Sequence, residues 1–138
     1  MFNQIAQTIP YQQITVEGFE ISIKRLDLVH PQISGNKFFK LKYNLLAARQ
    51  QGYKKLLTFG GAYSNHIAAT AYAAQLFGFE SLGIIRGEEL ACKPLNTTLN
   101  TAQQFGMQLQ FVSREAYRQK QNPAYLAQLQ QDYPDYYV

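Results

Sequence analysis

The chain has 138 residues, 46% hydrophobic and 16% charged, which excludes a disordered polymer and suits one globular domain that removes roughly 70% of its unfolded surface on folding. Its formal charge of +4 comes from dispersed basic residues, Lys24, Arg25, Lys37, Lys40, Lys42, Arg49, Lys54, Lys55 and Arg86 among them. No basic stripe forms, so no nucleic-acid partner is expected.

The opening segment MFNQIAQTIPYQQ lacks a basic leader followed by an apolar core, and no apolar run approaches spanning length, so no membrane partner and a cytoplasmic location are expected. ITVEGFEISIKRL alternates apolar and polar residues around Glu17-Gly18, the pattern of a two-stranded hairpin. After the breakers His30-Pro31 and Ser34-Gly35, the residues Phe38, Leu41, Leu45 and Ala48 recur at helical spacing until Gly52, which starts a helix at Lys37. KKLLTF then reads as a strand, Asn65 to Phe77 as a helix, SLGIIR as a strand, Leu95 to Phe105 as a helix and MQLQFV as a strand. A polar helical stretch follows between Arg114 and Gln131. The single cysteine, Cys92, excludes an internal disulfide and any multi-cysteine metal signature, and no metal is expected. The closing DYPDYYV reads as a turn feeding a strand that is never completed, so the chain is expected to end mid-fold. Alternating strands and helices with short connections imply a parallel sheet covered by helices, with ligands at the carboxyl ends of the strands.

Two motifs carry chemistry. In GGAYSNHIAATA, Gly60 and Gly61 permit unusual backbone, Ser64 and Asn65 can cap a helix, and alanines extend it. A strand, glycine turn and helix start leave unpaired N–H groups at the positive end of a helix dipole, where a carboxylate or phosphate can be held. The second motif, SGNKFFKLKYNL, places Lys37 at a helix entry beside Phe38 and Phe39, where an ammonium is disfavoured and a nucleophilic amine becomes more accessible. From spacing alone the plainer reading of Lys37, one solvated member of a basic triple with Lys40 and Lys42, is favoured.

Together, SGNKFFKLKYNL and TFGGAYSNHIAATAYAA resemble the 1-aminocyclopropane-1-carboxylate deaminase and D-cysteine desulfhydrase family of pyridoxal-phosphate enzymes, of the tryptophan-synthase-β-like fold. The resemblance runs from about Leu26 to Tyr117 and includes RGEEL and REAYRQK. It implies an internal Schiff base of pyridoxal 5'-phosphate on Lys37, a hydrogen bond from Asn65 to the cofactor's ring hydroxyl, and a small amino-acid substrate held by Ser64, Asn65 and His66. Ser64 with the adjoining N–H groups would take the substrate carboxylate. His66 resembles the desulfhydrase branch more than the deaminase branch, while a capping or surface histidine is the plainer reading. The chain departs from the family pattern at Phe39, Tyr63 and Ala68, where arginine, glutamine and arginine are frequent.

The fold implied is a three-layer α/β/α parallel twisted sheet preceded by an N-terminal hairpin. Residues 1–36 would belong to a larger cofactor domain and residues 37–138 form a smaller α/β domain. The family's phosphate-binding glycine loop and its partner for the pyridine nitrogen have no counterpart here. The implied whole enzyme is a deaminase or lyase and a homodimer, and these 138 residues by themselves are expected to be inactive. Two rivals come from other classes. A nucleotide-binding domain lacks support because neither G-x-G-x-x-G nor the G-K-[ST] ending is present. A non-catalytic interaction module is the other.

Overall fold

The computed structural model describes residues 2–138. A hairpin of β1 (Tyr11–Val16) and β2 (Phe19–Lys24) turns at Glu17-Gly18, both with positive φ (50° and 84°), as a two-residue hairpin turn requires. Helix α1 (Asn36–Gln50) follows, then β3 (Lys55–Gly61), α2 (Asn65–Phe77), β4 (Glu80–Arg86), α3 (Thr97–Gln104) and β5 (Met107–Val112). Helices α4 (Arg114–Arg118) and α5 (Pro123–Asp132) and the short strand β6 (Tyr136–Tyr137) complete the described chain. The main sheet is parallel throughout, in the order β5-β4-β3-β6.

Strand alternation assigns the two faces. Leu56 of β3 belongs to a cluster with α1 and α2, and Ile85 and Met107 to one with α2 and α3. Their neighbours Leu57, Leu82 and Ile84 point the other way, against Leu129 of α5. Helices therefore cover both faces in three layers, as the strand and helix order implies. Residues flanking the hairpin pack inward as well: Phe2, Val29 and Ile33 are buried in the cluster that holds Phe38, Leu41 and Leu45 of α1.

Three expectations change in detail. Gly60 and Gly61 lie inside β3, pairing with Ile85 and Arg86, and neither has positive φ. The turn falls instead on Ala62-Tyr63. What β3 needs at Gly60 is the missing Cβ, which would sit 2.2 Å from Cγ1 and 2.7 Å from Cδ1 of Ile67. Ile67 is fully buried, a burial worth about 2 kcal/mol, and it can reach the sheet only because that space is empty. Second, the stretch from Arg114 to Gln131 is two helices, because Pro123 cannot continue α4 and instead starts α5 with Asn122 accepting from the Ala124 N–H at 3.0 Å. Third, α3 is shorter than its apolar pattern: Asn96 caps it by accepting from Leu99 N at 2.9 Å, which leaves Leu95 outside. The closing aromatic run forms a strand as expected, a short one in which Tyr136 and Tyr137 pair with Lys55 and Leu56.

Candidate functional site

Helices α1 and α2 lie side by side on one face of the sheet, which brings their first turns together. Gly35 occupies the α1 N-cap and offers no capping side chain. Phe38 turns into the core, edge-on to Phe2 with ring centres 5.1 Å apart. Its neighbour, a helical step of about 100° away, projects differently: Lys37 is partly exposed, and its Nζ donates to Asn36 Oδ1 at 2.6 Å. The basic triple divides accordingly. Lys42 is engaged elsewhere, donating to Asn3 Oδ1 at 2.9 Å and lying over the ring of Tyr43, whereas Lys37 and Lys40 both bear on His66.

At α2, Ser64 holds the N-cap position in extended conformation, yet its side chain makes no capping bond. Its carbonyl accepts from Ile67 N at 3.0 Å. The N–H groups of Asn65 and His66 have no partner among the described residues, and the Asn65 amide is exposed. An uncommitted hydroxyl, an uncommitted amide and two free N–H groups thus share the positive end of a 13-residue helix, the arrangement that favours an anion.

His66 is partly buried, with Nε2 3.0 Å from Thr58 Oγ1 of β3. Burial pushes its pKa below the ordinary histidine value, and the charges of Lys37 and Lys40 push the same way, so the ring is neutral at neutral pH. One turn further on, Thr70 is buried with its hydroxyl unpartnered. Thr58, His66, Thr70 and Asn44 of α1 meet at a cavity of about 140 Å³ between the two helices and the sheet. The sequence reading missed Thr58, Asn44 and Thr70. Strand alternation from Leu57 for Thr58, and i to i+4 spacing from His66 for Thr70, are the signals that point to them.

A second and larger cavity, about 650 Å³, opens at the carboxyl ends of β3 and β4, where Ser64 faces Arg86 and the segment from Glu89 to Asn96. It lies where ligands of parallel α/β sheets gather. Asn96 ties its floor together by donating to Ala62 O at 2.9 Å.

Over 100 residues the chain is 39% identical to a Thermotoga maritima protein that carries the provisional name 1-aminocyclopropane-1-carboxylate deaminase, a match covering 72% of this chain and 31% of that protein. It is 33% identical over 103 residues to the mitochondrial bifunctional D-cysteine desulfhydrase/1-aminocyclopropane-1-carboxylate deaminase of Arabidopsis thaliana, covering 72% of this chain and 26% of the relative. A crystal structure of an ACC deaminase homologue superposes with a TM-score of 0.75 at 26% identity, over 97% of this chain and 42% of its own. The chain belongs to the 1-aminocyclopropane-1-carboxylate deaminase and D-cysteine desulfhydrase family. No protein-family model matches it. It spans about a third of the first curated relative it matches, and among the described residues no helix is long and apolar enough to cross a membrane. Enzymes of the deaminase and desulfhydrase family depend on pyridoxal phosphate. The donor set fits the reactive end of such a group: one primary amine, one free amide, and a helix start able to hold an acid.

Proposed function

We propose that this chain is the N-terminal part of a pyridoxal-phosphate-dependent deaminase or lyase acting on a small amino acid, with Lys37 as the covalent attachment point. One observation carries the reading: α1, with Lys37 in its first turn, and α2, with Ser64, Asn65 and His66 at its start, pack in one cluster on the same face of the sheet, and Leu41 and Asn44 of α1 share a cavity with His66 of α2, whose pKa burial and then the charge of Lys37 push down. When bound, the cofactor supplies an electron sink for the carbanion formed next to the substrate nitrogen. Asn65 would orient it through the ring hydroxyl. Ser64 and the free N–H groups would hold the substrate carboxylate. Lys37, freed once substrate takes its place, would move the Cα proton. His66, anchored by Thr58 and held neutral at neutral pH by burial and by the nearby lysines, would add no second cation beside Lys37 in the resting site.

The hairpin supports a two-part domain reading, in which residues 1–36 join a larger cofactor domain. Its cross-strand pairs Ile14 with Ile21 and Val16 with Phe19, and Ile23 beside them, share one face, and Phe19 remains 73% exposed. Such an apolar face is one a larger domain would cover. Because this chain spans under half of its structural relative, we expect cofactor attachment without turnover from the 138 residues alone.

The test is borohydride reduction after incubation with pyridoxal phosphate, followed by peptide mapping. Label on Lys37 alone supports the proposal, and label on Lys40 or Lys42 overturns it. In an enzyme that carries the remaining segments, Ser64→Ala should weaken substrate binding and leave the resting cofactor spectrum unchanged. Asn65→Ala should change that spectrum before substrate is added.

A further inference from the structure

The large cavity beside Ser64 carries a charge pattern that binding of a small neutral amino acid does not use. Three cations line it, Arg86, Lys93 and Arg114, against the single acid Glu89. Glu89 is already committed: Arg114 Nη2 donates to its Oε1 at 2.8 Å, and that hydrogen bond holds the carboxyl below the usual carboxylate range. Arg86 and Lys93 have no ion pair or side-chain hydrogen bond among the described residues. Arg86 is exposed at the end of β4. Its guanidinium carbon lies 5.8 Å from the centre of the Tyr117 ring, and its Nη2 stands 3.9 Å from where a Cβ on Gly61 would be. The fork therefore sits beside the end of β3, ahead of Ser64, with its N–H groups uncommitted. Between these polar ends, Leu95 and Leu99 give the cavity an apolar wall.

Two anion-recognising places thus open into one space: the start of α2 at Ser64, and the Arg86 fork. The volume of about 650 Å³ lies in the range of sites that enclose whole small molecules. Building on the function proposed above, we infer that this cavity receives a second acidic group on the substrate, so that the preferred amino acids carry a carboxylate on the side chain. The α-carboxylate meets Ser64 and the free N–H groups of α2. The distal carboxylate pairs with the Arg86 fork, supported by Lys93, and the methylenes between them lie on Leu95 and Leu99. A bidentate guanidinium is the group suited to that recognition.

The test is an NMR titration of the chain with alanine, aspartate, glutamate and inorganic phosphate, following the Ser64 amide and the Arg86 Nε–H. Aspartate or glutamate should bind at least about tenfold tighter than alanine and move both signals, as expected for one added charge-assisted contact. Arg86→Gln should reduce that preference to within about twofold and leave alanine affinity as it was. Arg86→Lys should fall between, and Lys24→Gln, which removes an equal charge on the hairpin, should change nothing. Equal binding of alanine and the dicarboxylates overturns the inference. So does an unaltered preference in Arg86→Gln, phosphate binding as tight as aspartate at the same signals, or the absence of saturable binding by any probe. The two readings fail separately. A dicarboxylate preference with no borohydride-fixed label on Lys37 removes the cofactor assignment and leaves the acid-binding cavity, while label on Lys37 without the preference removes only the cavity's role.

Discussion

Thr58 holds His66: the threonine hydroxyl of β3 and Nε2 of the second residue of α2 are 3.0 Å apart, which fixes the imidazole against the sheet while Lys37 and Lys40 repel its charged form. Its titration midpoint, followed by NMR, should lie below the ordinary value of about 6.5. Lys37→Gln removes one repelling cation and should move the midpoint up. A midpoint that ignores the substitution would separate the two first turns and undo the assembly of the site.

Volume, rather than backbone conformation, should decide the cost of substitution at the paired glycines. A methyl group at Gly60 meets Ile67 at 2.2 Å, whereas one at Gly61 meets only Arg86 Nη2 at 3.9 Å. Gly60→Ala is expected to lose about 1–3 kcal/mol in urea unfolding through overpacking, and Gly61→Ala to stay within about 0.5 kcal/mol. Equal costs at the two positions would refute the close approach of α2.

The two helix starts at the carboxyl edge should respond differently to loss of their polar residues. Asn96 accepts from Leu99 N and donates to Ala62 O, both at 2.9 Å, so Asn96→Ala should cost about 1–2 kcal/mol. Ser64 makes no capping bond, and Ser64→Ala should cost less than about 0.5 kcal/mol. Denaturant midpoints of the two variants check the contrast. A Ser64→Ala loss as large as the Asn96→Ala loss would mean that the hydroxyl serves the fold.

Acid should loosen the segment ahead of α1. Buried His30 accepts at Nδ1 from Gln32 N and Ile33 N, each at 3.1 Å, which a proton on that nitrogen would forbid. Burial lowers its pKa, so the folded state binds fewer protons than the unfolded one below about pH 6.5. The stabilisation is present above that value and is lost as pH falls through the depressed folded-state pKa. His66 acts with the same sign. Unfolding free energies measured from pH 7.5 to 5 should decline, and more shallowly in His30→Gln.

Most of the architecture was legible because local pattern and tertiary demand agree. Phe38, Leu41, Leu45 and Ala48 are the buried face of α1, and the α2 and β5 boundaries coincide with their apolar runs. What was not legible depends on contacts distant in sequence. Glycine conformational freedom was the natural reading of Gly60-Gly61, while the reason for Gly60 is Ile67, visible only once α2 docks. Arg86 read as one of many scattered cations and gained meaning when β4 ended beside Gly61 and Tyr117. For Lys37 and His66, the family motifs marked both residues, and packing of α1 on α2 let burial and then the lysine's charge act on the imidazole.

The unused cap at Ser64 ties occupancy to the local opening of α2. A helix whose first amides face only water frays there, and an acid seated on them would act as the missing cap, held by the ligand instead of the chain. Hydrogen exchange at Asn65 and His66 would then slow as the unbound fraction falls, by a factor approaching one plus the ratio of ligand concentration to its dissociation constant. Amides at the opposite end of α2, such as Phe77, would keep their rates wherever opening there is independent of the first turn. The start of the helix would thus report binding as a gradient of protection along a single element.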